Sequence, residues 1–465
     1  MTHFKAVIIG SGQGGTPLAK KLAQAGWSTA LVEKRFIGGT CINDGCTPTK
    51  AMVASAKAAY MATNSGQWGV AVNGYAVNLE QIVARKNDIV RQFRGGSEKG
   101  LENTEHLTLF HGEAVFTGPG ALTIQLSSGE TEAVTADYIF LDIGTTPQIP
   151  PVPGLDTVPW LTSTTILDLT TLPQHLVILG GSYIALEFGQ MFRRFGSQVT
   201  IIEKGPHLVG REDEDVSLCV QQILEAEGLR IFTGAALQQV AQNGESIVCT
   251  VASGGQTYTV TGSHLLLAAG RVPQTKAIRL DKAGVQTNDR GFIKVNGRLE
   301  TNVPGIYAMG DVTGGPAFTH ISYNDHWVLY KNLVTGADAT VTGRQVPYCM
   351  FTDPQLGHIG LTEKEAKAKG LDFTVCKMDM SHVARAIETG STQGFMKALV
   401  EKGTYKILGA TVLGAEGGEL MTLLQMAMLG GITALQMKEM IFAHPLYAES
   451  LNNLFMQLDN QADCG

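Results

Sequence analysis

The sequence predicts an α/β protein: two copies of a strand–glycine turn–helix–strand unit, followed by a C-terminal α+β region. Three observations predict it. A continuous apolar run, KAVIIG, leads straight into Gly10-Ser-Gly12-Gln-Gly-Gly15 and then a helical stretch, TPLAKKLAQAG. The same pattern returns at LVILGGSYIALEFGQMFRRFGSQVTIIEK. From about residue 345 it gives way to short strands, a capped helix and paired apolar runs.

Composition sets the frame. The chain has 465 residues, 44% hydrophobic and 17% charged, which describes compact soluble domains with little disorder. It is too long for one ordinary core, so several domains are expected. Its 55 glycines suit tight strand-to-helix turns. Net charge is 35 − 42 = −7, with no basic run and no zinc-finger spacing, so nucleic acid is not an expected partner. No apolar stretch reaches the length of a membrane span. The first glycine motif begins within ten residues of Met1, where a cleavable leader would destroy it. The expected location is cytoplasmic, without membrane attachment.

In the first unit, KAVIIG reads as a strand buried on both faces of a parallel sheet. Glycines at 10, 12 and 15 let the backbone approach a pyrophosphate lying on the helix N-terminus. WSTALVE then ends at Glu33, 18 residues after Gly15, placed to accept from ribose hydroxyls. Together these make a Rossmann-like dinucleotide-binding unit. In the second unit Gly180, Ser182 and Ala185 fill the small-residue positions and Glu203 ends the following strand. Serine in the middle narrows the approach to the phosphates. Glu203 favours a free 2′-hydroxyl, hence NADH over NADPH, while Lys204 and Arg211 pull the other way.

The proline-rich TPQIPPVPG (146–154) reads as a crossover between domains, and GRVPQT (270–275) as the return. In TNVPGIYAMGDVTGG the short strand IYAM runs into Asp311, at the strand end where such sheets bind cofactors. Further on, VPYCMFTDPQLGHIG is strand-like. LTEKEAKAKG has Thr362 and Glu365 at capping-box spacing and Gly370 as a stop. KALVEKGTYKILGATVLG reads as two strands around a turn. GELMTLLQMAMLG puts residues 420, 423, 424, 427 and 428 on one helical face, for a core or a dimer interface.

Seven cysteines (41, 46, 219, 249, 349, 376, 464) are too few and too scattered for a secreted disulfide framework. Cys219, Cys249, Cys349 and Cys376 lie in apolar or strand-like settings and read as packing residues. Cys41 and Cys46 differ, sitting five apart in GGTCINDGCTPTK. Structural zinc would need a second pair, which the chain lacks. Inert thiols fit poorly with glycine-flanked positions opening a helix, where a thiolate is stabilised. A pair cycling between dithiol and disulfide fits. His320 and His326, six apart in FTHISYNDH, do not share a helical face and are not a metal pair; no resident metal is expected. His106 and His111 flank a strand and read as solvated. In HPLYAE, the Glu449 carboxylate, five residues after His444, can orient the imidazole as an acid–base group for a leaving thiol.

GGTCINDGCTPTK, with both glycine units, GRVPQT, YAMGD and HPLYAES, resembles the class I flavin disulfide reductases over nearly the whole chain. That family includes glutathione reductase, dihydrolipoamide dehydrogenase, mercuric reductase and a reactive-chlorine-response copper reductase branch. AMGDVTGGPAFTHIS and HPLYAESLNNLF are most similar to the last. The resemblance implies an FAD-binding domain from 1–150 and 272–342, an NAD(P)H-binding domain at 151–271 and a C-terminal dimerisation domain at 343–465. It implies that Cys41 is the interchange thiol and Cys46 the thiol against the flavin. Lys50 matches the lysine near the flavin, Glu187 its ion-pair partner and Tyr183 the gate of the nicotinamide pocket. Gly10, Gly12, Gly15, Glu33, Thr40, Gly144 and Asp311 match FAD contacts. Gly180, Ser182, Ala185, Glu203 and Arg271 match the NAD(P)H side. His320 falls near the flavin's pyrimidine edge, and His444 with Glu449 reaches the active site of the other subunit.

The chain departs from the family at Asp44 and Thr47, where apolar residues are usual, and at Leu446, where threonine is. A carboxylate between the cysteines should raise their pKa values unless it points away. The tail, DCG, carries one cysteine, Cys464, where mercuric reductases carry a vicinal pair, and no arginine set for a charged tripeptide is evident. The expectation is a homodimeric FAD enzyme passing electrons from NADH or NADPH, through the flavin, to the Cys41–Cys46 disulfide. From there they would go to a small oxidised thiol, an oxidant or a soft metal ion, of copper, mercury or hypothiocyanite type. Dihydrolipoamide dehydrogenase is the alternative. A flavin-binding complex subunit or scaffold is an alternative of another class, though it would have no need of these catalytic residues.

Overall fold

The computed structural model describes residues 1–459, so the tail with Cys464 lies outside it. The first sheet has six strands. Thr2–Ile9 lies parallel between Thr29–Glu33 and Thr131–Leu141, and Ile306–Ala308 adds a further parallel strand. The run KAVIIG is apolar throughout because its two faces enter two cores. Ala6 and Ile8 pack with Leu18, Ala19 and Leu22 of the helix Gly15–Gln24. Val7 and Ile9 pack with Phe116 and Ile124 on the opposite face. His111 lies within the strand Leu107–Gly118 rather than beside it, and is exposed like His106.

The second sheet has five parallel strands in the order Arg230–Phe232, Gln198–Ile202, His175–Leu179, His264–Leu267, Leu161–Thr162. A three-stranded antiparallel sheet over Ala235–Gly262 covers it. The chain leaves the first sheet through Thr145–Pro147 and returns through Arg271–Pro273, and these two strands pair antiparallel. Both glycine turns use one geometry. Gly10 has φ +101° and Gly180 φ +122°, and a Cβ there would lie 2.3 Å from Asp142 O and 2.4 Å from Ala268 O. Only glycine fits so close to the end of the neighbouring strand.

The third sheet is antiparallel, in the order Tyr348–Met350, Gln355–Gly360, Ile407–Gly414, Phe395–Glu401, Phe373–Asp379. VPYCMFTDPQLGHIG is therefore two strands. It breaks where Phe351 N–H donates to Glu187 and Asp353 N–H to Gln190, so these donors leave the ladder. The capping box of Thr362 and Glu365 forms as its spacing predicts. In the helix Gly417–Gly430 the buried side is Leu420, Met421, Leu424 and Ala427. Leu423, expected on that side, is exposed together with Met426 and Leu429. Close approach of the helix start to the sheet sets this rotation, a Cβ on Gly357 meeting Gly417 O at 2.5 Å.

The third sheet is tied to the second unit by a buried ammonium. Lys397 Nζ lies 2.9 Å from Asp213, 2.8 Å from Asp215 and 3.0 Å from Glu363. Among the described residues no helix is long and apolar enough to cross a membrane.

Candidate active site

Cys46 is the first residue of the helix Cys46–Asn64, and Cys41 lies in the preceding turn of helix, Gly39–Asn43. Both are free thiols. The hydrogen bond from Cys41 lowers the Cys46 pKa to about 6, helped against burial by Thr319, whose Oγ1 is 3.3 Å away, and by the Lys50 charge. The same contact, with burial, pushes the Cys41 thiol up. One thiolate is thus held on Cys46 while Cys41 keeps its proton. Asp44, the carboxylate between them, pairs with Arg35, and the leading causes of both shifts lie elsewhere.

One turn into the helix, Lys50 Nζ meets Glu187 Oε2 at 2.7 Å. Glu187, 3% exposed, accepts Phe351 N–H at 2.8 Å on its other oxygen. Tyr183, at the start of the same helix as Glu187, is pushed up to about 12, chiefly by burial, and so stays neutral. It packs with Phe318, which stacks on His320 and Tyr348.

These residues line one cavity of about 710 Å³. Its lining includes Gly10, Gly12, Glu33, Thr40, Gly144 and Asp311 as well as Cys41, Cys46, Lys50, Tyr183, Glu187 and His320. Glu33 is fixed at the strand end by Ser11 N–H at 2.9 Å and Ser11 Oγ–H at 2.7 Å. A space lined by both the glycine-rich backbone and the thiols fits an FAD. Gly15 is buried beneath the turn, where a Cβ would lie 2.1 Å from Gly10 O, so it packs rather than lines the cavity.

A second cleft, lined by Gly181, Ser182, Glu203, His207, Arg211 and Lys364, lies on the second unit. Glu203 Oε1 accepts Gly205 N–H at 2.5 Å. Ala185 is in the core behind it. Arg271, expected on this side, instead lines the larger cavity and donates to Thr145 Oγ1 at 2.7 Å and Thr145 O at 2.8 Å. Its place in the returning strand, paired to Thr145–Pro147, carries it there.

His444 Nδ1 lies 2.9 Å from Glu449 Oε2 at the surface, and neither residue lines the cavity of its own chain. Cys349, read as a packing residue, does line it, though burial pushes its thiol up to about 12. Thr319, Phe318, Tyr348 and Phe351 reach the site without a sequence signal, because only tertiary packing brings them beside Cys46 and Lys50. Lys364 reaches the second cleft from the third sheet's domain in the same way.

Residues 4–325 match the family model described as pyridine nucleotide-disulphide oxidoreductase, and residues 346–455 match its dimerisation domain. The chain is 35% identical over 459 residues to RclA of Escherichia coli (strain K12), named as a probable pyridine nucleotide-disulfide oxidoreductase; the match covers 98% of this chain and 99% of that protein. It is 34% identical to a mercuric reductase of Streptomyces lividans, over 97% of this chain and 95% of the relative. To a dihydrolipoyl dehydrogenase of Chlamydia muridarum it is 33% identical, over 96% and 95%. A solved structure described as the Cu(II) complex of the HOCl-induced flavoprotein disulfide reductase RclA from Escherichia coli superposes with a TM-score of 0.90. It shares 34% identity and covers 98% of this chain and 100% of that one.

Proposed function

The chain belongs to the pyridine nucleotide-disulphide oxidoreductase family of enzymes, and on that premise we propose that it reduces a small acceptor through Cys41 and Cys46 at the expense of NAD(P)H. The observation that carries this reading is the thiol pair itself. A low-pKa Cys46 and a protonated Cys41 share one cavity with a dinucleotide-binding glycine turn. When bound, FAD supplies the two-electron relay between nicotinamide and disulfide.

The chain's own groups do the rest. Lys50, held by Glu187, places a positive charge where the Cys46 thiolate needs it. With a disulfide acceptor, Cys41 gives its proton to the His444 imidazole as its sulfur attacks one acceptor sulfur, and that proton leaves with the other sulfur as a thiol. The Cys46 thiolate then attacks Cys41, closing the internal disulfide and releasing the second sulfur as a thiolate that takes its proton from water. His444, oriented by Glu449, is the proton donor for the leaving thiol. With copper(II), the Cys41 thiol and the Cys46 thiolate give one electron to each of two ions, release one proton and close the same disulfide.

Copper(II) is the first acceptor to test, because the Escherichia coli structure that resembles this chain is described as a Cu(II) complex. A disulfide such as lipoamide is the second. The specific observation in its favour is the 2.9 Å contact of His444 with Glu449, a pair suited to protonating a leaving thiol, which the copper(II) reaction does not have. We assign FAD to residues 1–150 and 272–342, the nicotinamide nucleotide to 151–271 and dimerisation to 343–465. His444 and Glu449 lie outside their own chain's cavity, near exposed Leu446 and Ile441, which supports a homodimer that shares its active sites. NADH is the proposed donor. The second oxygen of Glu203 stays available to a ribose hydroxyl, and Lys364 is already committed to the Glu212 carbonyl.

The test is anaerobic titration of the purified yellow protein with NADH and, separately, NADPH. A long-wavelength absorption band after two electrons is expected, then its loss on adding copper(II), lipoamide, mercury(II) or hypothiocyanite. Bleaching without that band would place the cysteines outside the electron path.

A further inference from the structure

Asp142 follows the strand Thr131–Leu141, directly beneath the first glycine turn. It is 8% exposed and lines the larger cavity, and its side chain faces the turn from below. Gly15 N–H, at the start of the helix Gly15–Gln24, donates to its Oδ2 at 2.7 Å. Ser322 Oγ is 3.4 Å from its Oδ1. A Cβ on Gly12 would lie 2.6 Å from Oδ2, and one on Gly310 would lie 3.0 Å from Oδ1. The carboxyl is therefore packed against the three glycines that shape the cradle.

Its electrostatic surroundings are acidic. Asp311, in the turn Gly310–Thr313, faces the same cavity and accepts from Thr145 Oγ1. Asp325, in the helix Thr319–Tyr330, accepts Gly310 N–H at 2.8 Å and pairs with Arg344. Among the described residues no cation pairs with Asp142. Glu33 and His320 line the cavity further off. Burial, followed by the charges of Asp311 and Asp325, raises the Asp142 carboxyl well above the ordinary range against the Gly15 N–H bond.

We infer that Asp142 carries a proton when a pyrophosphate lies on the Gly10–Gly15 turn, so that FAD binding takes up a proton and FAD retention weakens as the solution becomes alkaline. This rests on the flavoprotein reading above. The neutral acid keeps its Gly15 N–H bond through the carbonyl oxygen and turns its O–H toward Ser322. The charged form would sit under a second anion with no counter-ion. Pyrophosphate and lost water both favour the protonated form, so the pKa in the complex exceeds that in the free protein. Between those two values the affinity falls by up to about tenfold per pH unit.

The experiment is serial dilution of the yellow holoprotein between about pH 6 and about pH 9, with released FAD read by its fluorescence. The wild type should release more FAD as pH rises. Asp142→Asn, which keeps an acceptor for Gly15 N–H but cannot ionise, should flatten that rise. Asp142→Ala serves if the Asn variant does not fold, and should flatten it equally with weaker retention. Glu33, His320 and Asp311 remain in both variants, so whatever they contribute is common to all three proteins. A flat wild-type profile, or an unchanged rise in the variants, overturns the inference. A protein that holds no FAD at any pH overturns the flavoprotein reading itself, a result distinguishable from either.

Discussion

Lys50 Nζ and Glu187 Oε2 lie 2.7 Å apart, and through them three parts of the chain meet behind the thiols. Lys50 belongs to the helix that Cys46 opens, and Glu187 to the helix that follows the second glycine turn. The N–H of Phe351, from the third sheet's domain, takes the remaining Glu187 oxygen. Neither partner is free to relax without disturbing the others.

Lys50→Met should therefore damage both stability and the thiolate. It leaves Glu187 buried without its counter-ion, a loss of roughly 3 kcal/mol. It also removes a charge that lowers the Cys46 pKa. Urea unfolding should show the first effect. A higher pH midpoint for thiolate absorbance in the reduced protein should show the second. An unchanged midpoint would mean that the Lys50 charge does not reach the sulfur.

The Cys46 thiolate, with a pKa lowered to about 6, should persist at neutral pH and disappear on acidification through that value. Thr319→Val removes a hydroxyl that lowers this pKa and should raise the midpoint by about one pH unit. The reduced protein's long-wavelength absorbance, followed against pH, reads both. Asp44→Asn should leave the midpoint in place, because Arg35 already pairs with that carboxylate.

Lys397 should show a reversal of sign with pH. In the wild type, partial burial opposes ionisation of Asp213 and Asp215. Backbone N–H groups and Lys397 hold Asp213 below its usual range; Lys377 and Lys397 do so for Asp215. Their stabilisation is complete above the unfolded carboxylate pKa of about 4 and is lost as pH falls through the folded values. Lys397→Met leaves three carboxylates facing one another and should cost roughly 3–5 kcal/mol at neutral pH. Mild acid should then raise that variant's melting temperature and leave the wild type's nearly unchanged. A variant that melts like the wild type at neutral pH would show the ammonium to be unimportant.

The proposed sharing of active sites is open to complementation. His444→Ala and Cys41→Ser chains should each be inactive as homodimers with a disulfide acceptor. Refolded together, they should recover activity, since a mixed dimer holds one site with both residues intact. No recovery would mean that His444 serves its own chain.

The parts of the site that sit next to one another in sequence could be read from it. Cys41, Cys46 and Lys50 share one helix start, and each glycine turn carries its strand, helix and acidic residue within one local unit. In the helix Gly417–Gly430 periodicity fixes which residues align, while the packing of Gly417 under the sheet fixes which line turns inward and leaves Leu423 exposed on the single chain. Cys349 looked like any apolar cysteine in a strand, and only the break after Met350 brings it to the cavity wall.

By itself the sequence determined the α/β class, the duplicated glycine-turn unit and the placing of Cys41 and Cys46 at one helix start. These depend on hydrophobic period, on glycine's access to positive φ and on residues a few positions apart. Tertiary structure decided what depends on distance through space. It paired Asp44 with Arg35, turned Arg271 toward Thr145 and set Thr319 against Cys46 across 273 positions of chain. It also buried Asp142 among other acids. Charge, hydrogen bonding and desolvation act over a few ångströms, and chain order does not state which residues will be that close.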